Sequence, residues 1–180
     1  TSLYCNRAEH FPPMKRIMEK SLMYTNLVVA VDGSNTSLNA LKHAAKLAQM
    51  SQAKLNLVTI VNPTEFMAVA PEFLVDENYE SAAIQQGELV LDQAEKIATE
   101  MGVKEMSRHL AMSNKGAREM AQLLVDFAEK EKSDLLILGT HGRTGLMHLL
   151  MGSFAETVMR QSTLPLLILR GVPDEDKTDE

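Results

Sequence analysis

A glycine-rich segment, residues 139–153 (GTHGRTGLMHLLMGS), has residue types and a spacing that could bind a phosphate group. Gly139 and Gly142 lack a Cβ atom, so an anion or a sugar could approach their backbone closely, and a positive φ would cost little there. Gly152 and Ser153 fall where a helix is predicted to begin, and the unpaired N–H groups and dipole of a helix N-terminus attract anions. We call residues 139–153 the glycine-rich loop.

Other side chains in this loop could add chemistry. Arg143 could neutralise a phosphate, Thr140 lies between the first two glycines, and His141 could contact a phosphate or act as a general base. The alternative is structural: the glycines turn the chain, His141 faces solvent, and Ser153 caps a helix. The loop matches neither the Walker A pattern nor the Rossmann G-x-G-x-x-G pattern. The residues alone leave both interpretations open.

Two further candidates stand near the ends of apolar runs. Asp32 follows such a run, where its carboxylate could accept hydrogen bonds from a ribose or help to hold a metal, or could make a turn before a helix. Ile60 could flank a purine ring or simply pack in the core. The histidines are dispersed and form no zinc motif, and the chain has no G-x-S-x-G elbow. We therefore predict no catalytic residue and no metal-ligand set.

Strands and helices are predicted to alternate along the chain. Apolar runs predict strands at 26–31, 53–61, 105–112, 134–138 and 164–170, and helical spacing of apolar residues predicts helices at 38–50, 81–101, 115–132 and 153–162. Residues 62–80 show no period and contain two prolines, which predicts a long loop. This alternation predicts an open parallel sheet with helices on both faces. Ligands bind such a sheet beyond the carboxyl ends of its strands, where Asp32, Ile60 and the glycine-rich loop are expected.

Length and composition narrow the class of protein. The 180 residues suffice for one domain, predicted at 24–171 between a leader of unassigned role (1–23) and an acidic, disordered tail (172–180). The net charge of −6 argues against nucleic-acid binding, and no apolar stretch approaches the roughly 20 residues that a membrane span needs. The single cysteine, Cys5, allows no intrachain disulfide and favours a reducing, cytoplasmic compartment.

The stretch NLVVAVDGSNTS and the glycine-rich loop resemble the universal stress protein A family, over residues 26–170. The ATP-binding members of that family carry the pattern G-x2-G-x9-G-(S/T), which Gly139, Gly142, Gly152 and Ser153 fill here. The resemblance implies an open five-stranded parallel sheet of order 3-2-1-4-5, a Rossmann-like fold of the adenine nucleotide alpha hydrolase type.

The resemblance also implies roles for the matching residues. Asp32 and Gly139 would contact the ribose, Ile60 would lie beside the adenine, and the later residues of the pattern would hold the phosphates. Together with the side chains of the loop, the predicted cofactor-binding residues are Asp32, Ile60, Gly139, Thr140, His141, Gly142, Arg143, Gly152 and Ser153.

The function that the resemblance implies is regulation by ATP in a stress response. Family members usually form homodimers, often through the last strand, here Leu164–Arg170. Ordering of residues 62–80 over the adenine is the expected switch. Two alternatives remain open: a slow ATP hydrolase in which Mg²⁺ bridges the phosphates and His141 or Asp32 assists, and a dimerisation module that binds no nucleotide.

Overall fold

The computed structural model describes residues 24–65, 79–141 and 151–170. The elements in these ranges, in chain order, are β1 (Asn26–Ala30), α1 (Asn35–Ser51), β2 (Lys54–Val61), α2 (Tyr79–Glu100), β3 (Met106–Met112), α3 (Ala117–Lys130), β4 (Leu135–Gly139), α4 (Ser153–Gln161) and β5 (Leu166–Leu169). The predicted leader and tail, most of the predicted 62–80 loop, and Gly142 and Arg143 lie outside the described residues.

The strands form one parallel sheet of order β3-β2-β1-β4-β5. Helices α1 and α2 cover one face and α3 and α4 cover the other. Side chains of β1 alternate between the two layers: Leu27 and Val29 pack with α1 and α2, whereas Val28 packs with α3 and α4, and all three are fully buried. These observations confirm the predicted fold class and the strand order that the family resemblance implies.

A buried asparagine holds three strands of the sheet in register. The side chain of Asn56 on β2 donates from Nδ2 to the Asn26 side chain (2.7 Å) and to the Leu27 carbonyl (2.8 Å) on β1. Its Oδ1 accepts a hydrogen bond from the Ser107 hydroxyl on β3 (2.6 Å). Because these polar groups satisfy one another inside the sheet, a slipped register would leave them buried without partners.

Several predicted boundaries differ from the structure. Helix α2 begins at Tyr79, residues 63–65 are helical, and β5 spans only Leu166–Leu169, so the predicted loop and last strand were both too long. Gly87 lies inside α2, on the side that faces the sheet. A Cβ at Gly87 would meet Val61 Cγ1 at 2.7 Å. Close approach of helix to sheet therefore explains this glycine.

No helix in the described ranges is both long enough and apolar enough to cross a membrane.

Candidate functional site

The predicted site residues that the structure describes follow the ends of three neighbouring parallel strands, so they lie along the carboxyl edge of the sheet. The register pairs Ala30 with Val58 and Val29 with Ile137. Continued past the strand ends, this register brings Asp32 level with Ile60 on one side and with Thr140 on the other. The strand order reverses between β1 and β4, where α/β sheets open a crevice for ligands.

Asp32 forms the turn that starts α1. Its Oδ1 accepts a hydrogen bond from the Ser34 N–H (2.9 Å), and its own N–H donates to the Ser37 hydroxyl (3.3 Å). Gly33 has a φ of +83°, which a residue with a side chain rarely adopts. The turn interpretation is thus confirmed, and it holds a half-buried carboxylate at the exit of β1.

The side of Gly139 that a side chain would occupy is filled by α1. A Cβ at Gly139 would lie 2.7 Å from Thr36 Cγ2 and 3.2 Å from the Thr36 carbonyl carbon. Among the described glycines, positive φ occurs at Gly33, Gly102 and Gly116, so Gly139 does not owe its identity to a left-handed conformation. Close packing of α1 on β4 accounts for this glycine, a reason the sequence did not reveal.

The ends of the glycine-rich loop are joined through the backbone of Thr140. The Gly152 N–H donates to the Thr140 carbonyl (2.8 Å), and the Thr140 N–H donates to the Leu169 carbonyl (2.8 Å). Thr140 is buried. A Cβ at Gly152 would lie only 3.2 Å from the Thr140 carbonyl oxygen, so a side chain there would press on this closure. The residue that follows β4 and the residue that precedes α4 are therefore in direct contact.

The N-termini of α1 and α4 differ in how they are capped. Ser34 caps α1 with its own hydroxyl, which accepts a hydrogen bond from the Ser37 N–H (3.2 Å). Gly152 occupies the N-cap position of α4 and has no side chain to do the same. Ser153, the first residue of α4, is exposed. The first turn of α4 thus presents N–H groups and the positive end of a helix dipole without a cap from the N-cap residue.

His141 packs inward at the closure of the loop, and the solvent-facing interpretation was wrong. The residue is half-buried, its Nδ1 lies 3.0 Å from the Thr140 hydroxyl, and its Nε2 is buried. Its Cδ2 would lie 3.7 Å from a Cβ built on Gly152. The imidazole therefore stands beside the N-terminus of α4.

Ile60 is half-buried and packs with the cluster that includes Val58, Val125 and Leu138. The core-packing interpretation therefore holds for part of its surface, while contact with an adenine stays a prediction. No group of three or more His, Cys, Asp or Glu side chains in the described ranges is arranged to hold a metal ion.

Comparison with known proteins identifies the family. The model of the universal stress protein family matches residues 23–170. Universal stress protein MJ0531 of Methanocaldococcus jannaschii is 34% identical over 151 residues, which cover 82% of this chain and 83% of that protein. Universal stress protein YxiE of Bacillus subtilis is 29% identical over 155 residues, covering 82% of this chain and all of its own.

Solved structures agree with this assignment. A universal stress protein in complex with cAMP has a TM-score of 0.59 at 27% identity and covers 83% of this chain and 98% of its own. Universal stress protein UspA from Lactobacillus plantarum has a TM-score of 0.67 at 20% identity, covering 82% and 98%, which supports the fold. The chain belongs to the universal stress protein family.

Proposed function

We propose that this universal stress protein binds ATP at the carboxyl edge of its sheet and acts in the cytoplasm as a regulatory homodimer. In this proposal, nucleotide occupancy biases its conformation or its choice of partner. The observation that carries the proposal is the closure of the glycine-rich loop. The hydrogen bond from Gly152 to Thr140 brings the N-terminus of α4, which no N-cap side chain satisfies, to the exits of β1 and β4. The relative that was solved with cAMP supports an adenine nucleotide as the ligand class.

The described residues fit the parts of a nucleotide in a consistent order. The phosphates would lie against the first turn of α4, where N–H groups and the helix dipole favour negative charge. The ribose would lie near Asp32, and the adenine near the exposed part of Ile60. Gly142 and Arg143, outside the described residues, are proposed to complete the phosphate site. This arrangement predicts that affinity depends on the number of phosphates.

A charge placed at Ser153 tests the phosphate site. Ser153→Asp should leave the ligand-free fold intact or stabilise it by about 0.3–1 kcal/mol, because a carboxylate at a helix N-terminus interacts favourably with the dipole. The same carboxylate should repel the phosphates and weaken ATP binding strongly. Isothermal titration measures the affinity and thermal melting measures the stability. Gln93→Glu, which makes an exposed residue of α2 negative far along the chain, is the matched control for charge.

The result can also exclude the proposal. If the wild-type protein carries no nucleotide on purification and shows neither heat nor a thermal shift with ATP, the protein is a dimerisation module without a nucleotide. If Ser153→Asp and Gln93→Glu bind ATP equally well, the phosphates do not lie at α4. Recovery of intact ATP after hours of incubation would separate retention from slow hydrolysis.

The proposed dimer would form along β5, within the predicted segment Leu164–Arg170. This strand is the edge of the sheet, and all of its residues are half-buried. The Leu136 N–H of β4 donates to the carbonyl of Pro165, just before β5 (3.0 Å), and the Thr140 N–H, just after β4, donates to the Leu169 carbonyl (2.8 Å). The backbone N–H and C=O groups of the odd-numbered residues of β5 therefore face β4. The N–H and C=O groups of Leu166 and Ile168 therefore point to the outer edge, where a second copy could pair with them.

A further inference from the structure

The two edges of the sheet carry different side chains. β5 is apolar over its whole length, from Leu166 to Leu169. β3, at the opposite edge, has Arg108 and His109 at its centre, and among the described residues it pairs only with β2. The unpaired N–H and C=O groups of an edge strand attract other strands, and a charged side chain that points inward is one way to prevent such pairing. Arg108 is a charged side chain of this kind.

The backbone groups of β3 that face outward belong to its even-numbered residues. The Ser113 N–H, just after β3, donates to the Val61 carbonyl of β2 (3.0 Å), so the odd-numbered residues of β3 face β2. The N–H and C=O groups of Met106, Arg108 and Leu110 therefore point to the outer edge. A further strand that paired with β3 would bond to these residues and would lie about 4.7–4.9 Å away.

Arg108 binds three carboxylates of α2. Its guanidinium contacts Glu88 at 2.6 Å, Asp92 at 2.7 Å and Glu95 at 3.0 Å. The three acids are spaced by four and three residues, so they form one row on the side of α2 next to β3. We call these four residues the Arg108 cluster. Its three negative charges and one positive charge give a net charge of −2. Water still reaches 31% of the Arg108 side chain and 44–58% of the acidic side chains.

We infer that the Arg108 cluster prevents a second copy of the chain from pairing with β3, so that strand pairing between copies is restricted to the β5 edge. An added strand would cover the guanidinium and the carboxylates on the α2 side and remove them from water, which is costly for charged groups. In a two-fold pairing of two β3 strands, the acidic rows of both copies would also approach each other and repel. Neither cost arises at β5, where all four side chains are apolar. The inference does not require the β5 dimer, because the same cluster would keep monomers from joining through β3.

Removal of the charges tests this role. In the neutral-cluster variant, Glu88→Gln, Asp92→Asn and Glu95→Gln keep the shape of the acids, and Arg108→Met keeps an apolar stem of similar length. Exposed ion pairs contribute little to stability, so this variant should remain folded, which circular dichroism verifies. In sedimentation velocity, it should associate beyond the size of the wild-type protein as the protein concentration rises.

A matched control separates the cluster from a general effect of charge. The neutral-cluster variant loses three negative charges and one positive charge, so its net charge changes from −6 to −4. Asp126→Asn together with Glu129→Gln, two exposed residues of α3, changes the net charge by the same amount. We expect the control to keep the wild-type size, and the neutral-cluster variant to associate at a concentration lower by about tenfold or more.

Amide hydrogen exchange identifies the edge that pairs. In the wild-type protein the N–H groups of Arg108 and Leu110 should exchange rapidly, whereas the N–H of His109, which faces β2, should be protected. In the associated neutral-cluster variant the amides of residues 108 and 110 should become protected as well. Slow exchange of both amides in the wild type, a folded variant that matches the control in size, or association that leaves both amides exposed would overturn the inference. A monomeric wild-type protein would overturn the proposed dimer and leave this inference standing.

Discussion

Replacing Gly139 with alanine should destabilise the protein even without a ligand, because α1 already fills the space that the new methyl group needs. The added Cβ would lie 2.7 Å from Thr36 Cγ2 and 3.2 Å from the Thr36 carbonyl carbon. Carbon atoms pack favourably at about 3.5–4.0 Å, so the side-chain contact is too short by about 1 Å and the backbone contact by several tenths. Overpacking of this kind costs about 1–3 kcal/mol. We expect a loss of about 2 kcal/mol in the free energy of unfolding, because the Thr36 side chain can rotate away from the new methyl group but the backbone of α1 must shift.

The partner substitution isolates the contact. Thr36→Ser removes Cγ2 and keeps the hydroxyl, so it relieves the shortest contact while the backbone contact at 3.2 Å remains. The double variant should therefore recover part of the loss, with a coupling free energy of about 1 kcal/mol. Urea denaturation of the wild type, the two single variants and the double variant, all without nucleotide, gives the four free energies of unfolding.

One outcome would refute this reasoning. If Gly139→Ala unfolds within about 0.5 kcal/mol of the wild type and shows no coupling to Thr36, the helix does not need the glycine. If ATP affinity nevertheless collapses in that variant, the glycine is there to clear space for the ligand. That result would support the interpretation of Gly139 as a ribose contact, which stays a prediction.

Three further predictions concern packing, assembly and pH. Gly87→Ala should lower the thermal midpoint although alanine favours helices by about 1 kcal/mol, because the Cβ would press on Val61 at 2.7 Å; a higher midpoint would contradict the packing argument. Ile168→Pro removes an outward N–H of β5 and should yield monomers in sedimentation with the fold retained, whereas an intact dimer would place the interface elsewhere. Burial lowers the pKa of His109, so the folded protein takes up that proton less readily than the unfolded chain does, and stability should fall as pH drops below about 6.5. His109→Gln should flatten that fall in urea titrations and His43→Gln should not.

Local pattern was enough to predict the order of the elements. Short runs of Val, Leu and Ile predicted the strands because a parallel sheet covered on both faces must be apolar on both. The turn at Asp32 and the helix that begins at Ser153 also follow from residues next to one another in the chain. The strand order and the roles of the site residues came instead from the family resemblance, since periodicity does not say which strands are neighbours.

Contacts between distant parts of the chain could not be predicted. Gly139 meets Thr36, about a hundred residues earlier, and Gly87 meets Val61 and Leu110 on two different strands. The sequence suggested backbone freedom at Gly139, whereas both glycines are positions of close packing. The inward orientation of His141 was missed for the same reason, because it depends on Thr140 and Gly152 meeting at the closure of the loop.

The glycines of this motif therefore have different structural roles, and each role calls for a different test. Gly139 is required by α1, so its variants report mainly on folding. Gly152 keeps a side chain away from the Thr140 carbonyl and leaves α4 without a side-chain cap. A substitution of Gly152 would therefore change both the folding of the loop closure and the N–H groups proposed to bind phosphate. Ser153 and His141 are better probes, since their substitutions change charge or hydrogen bonding at the helix N-terminus without filling occupied space. A loss of ATP binding in a glycine variant alone would not distinguish a damaged phosphate site from a displaced helix. For Ser153→Asp, in contrast, we expect weaker ATP binding together with undiminished stability.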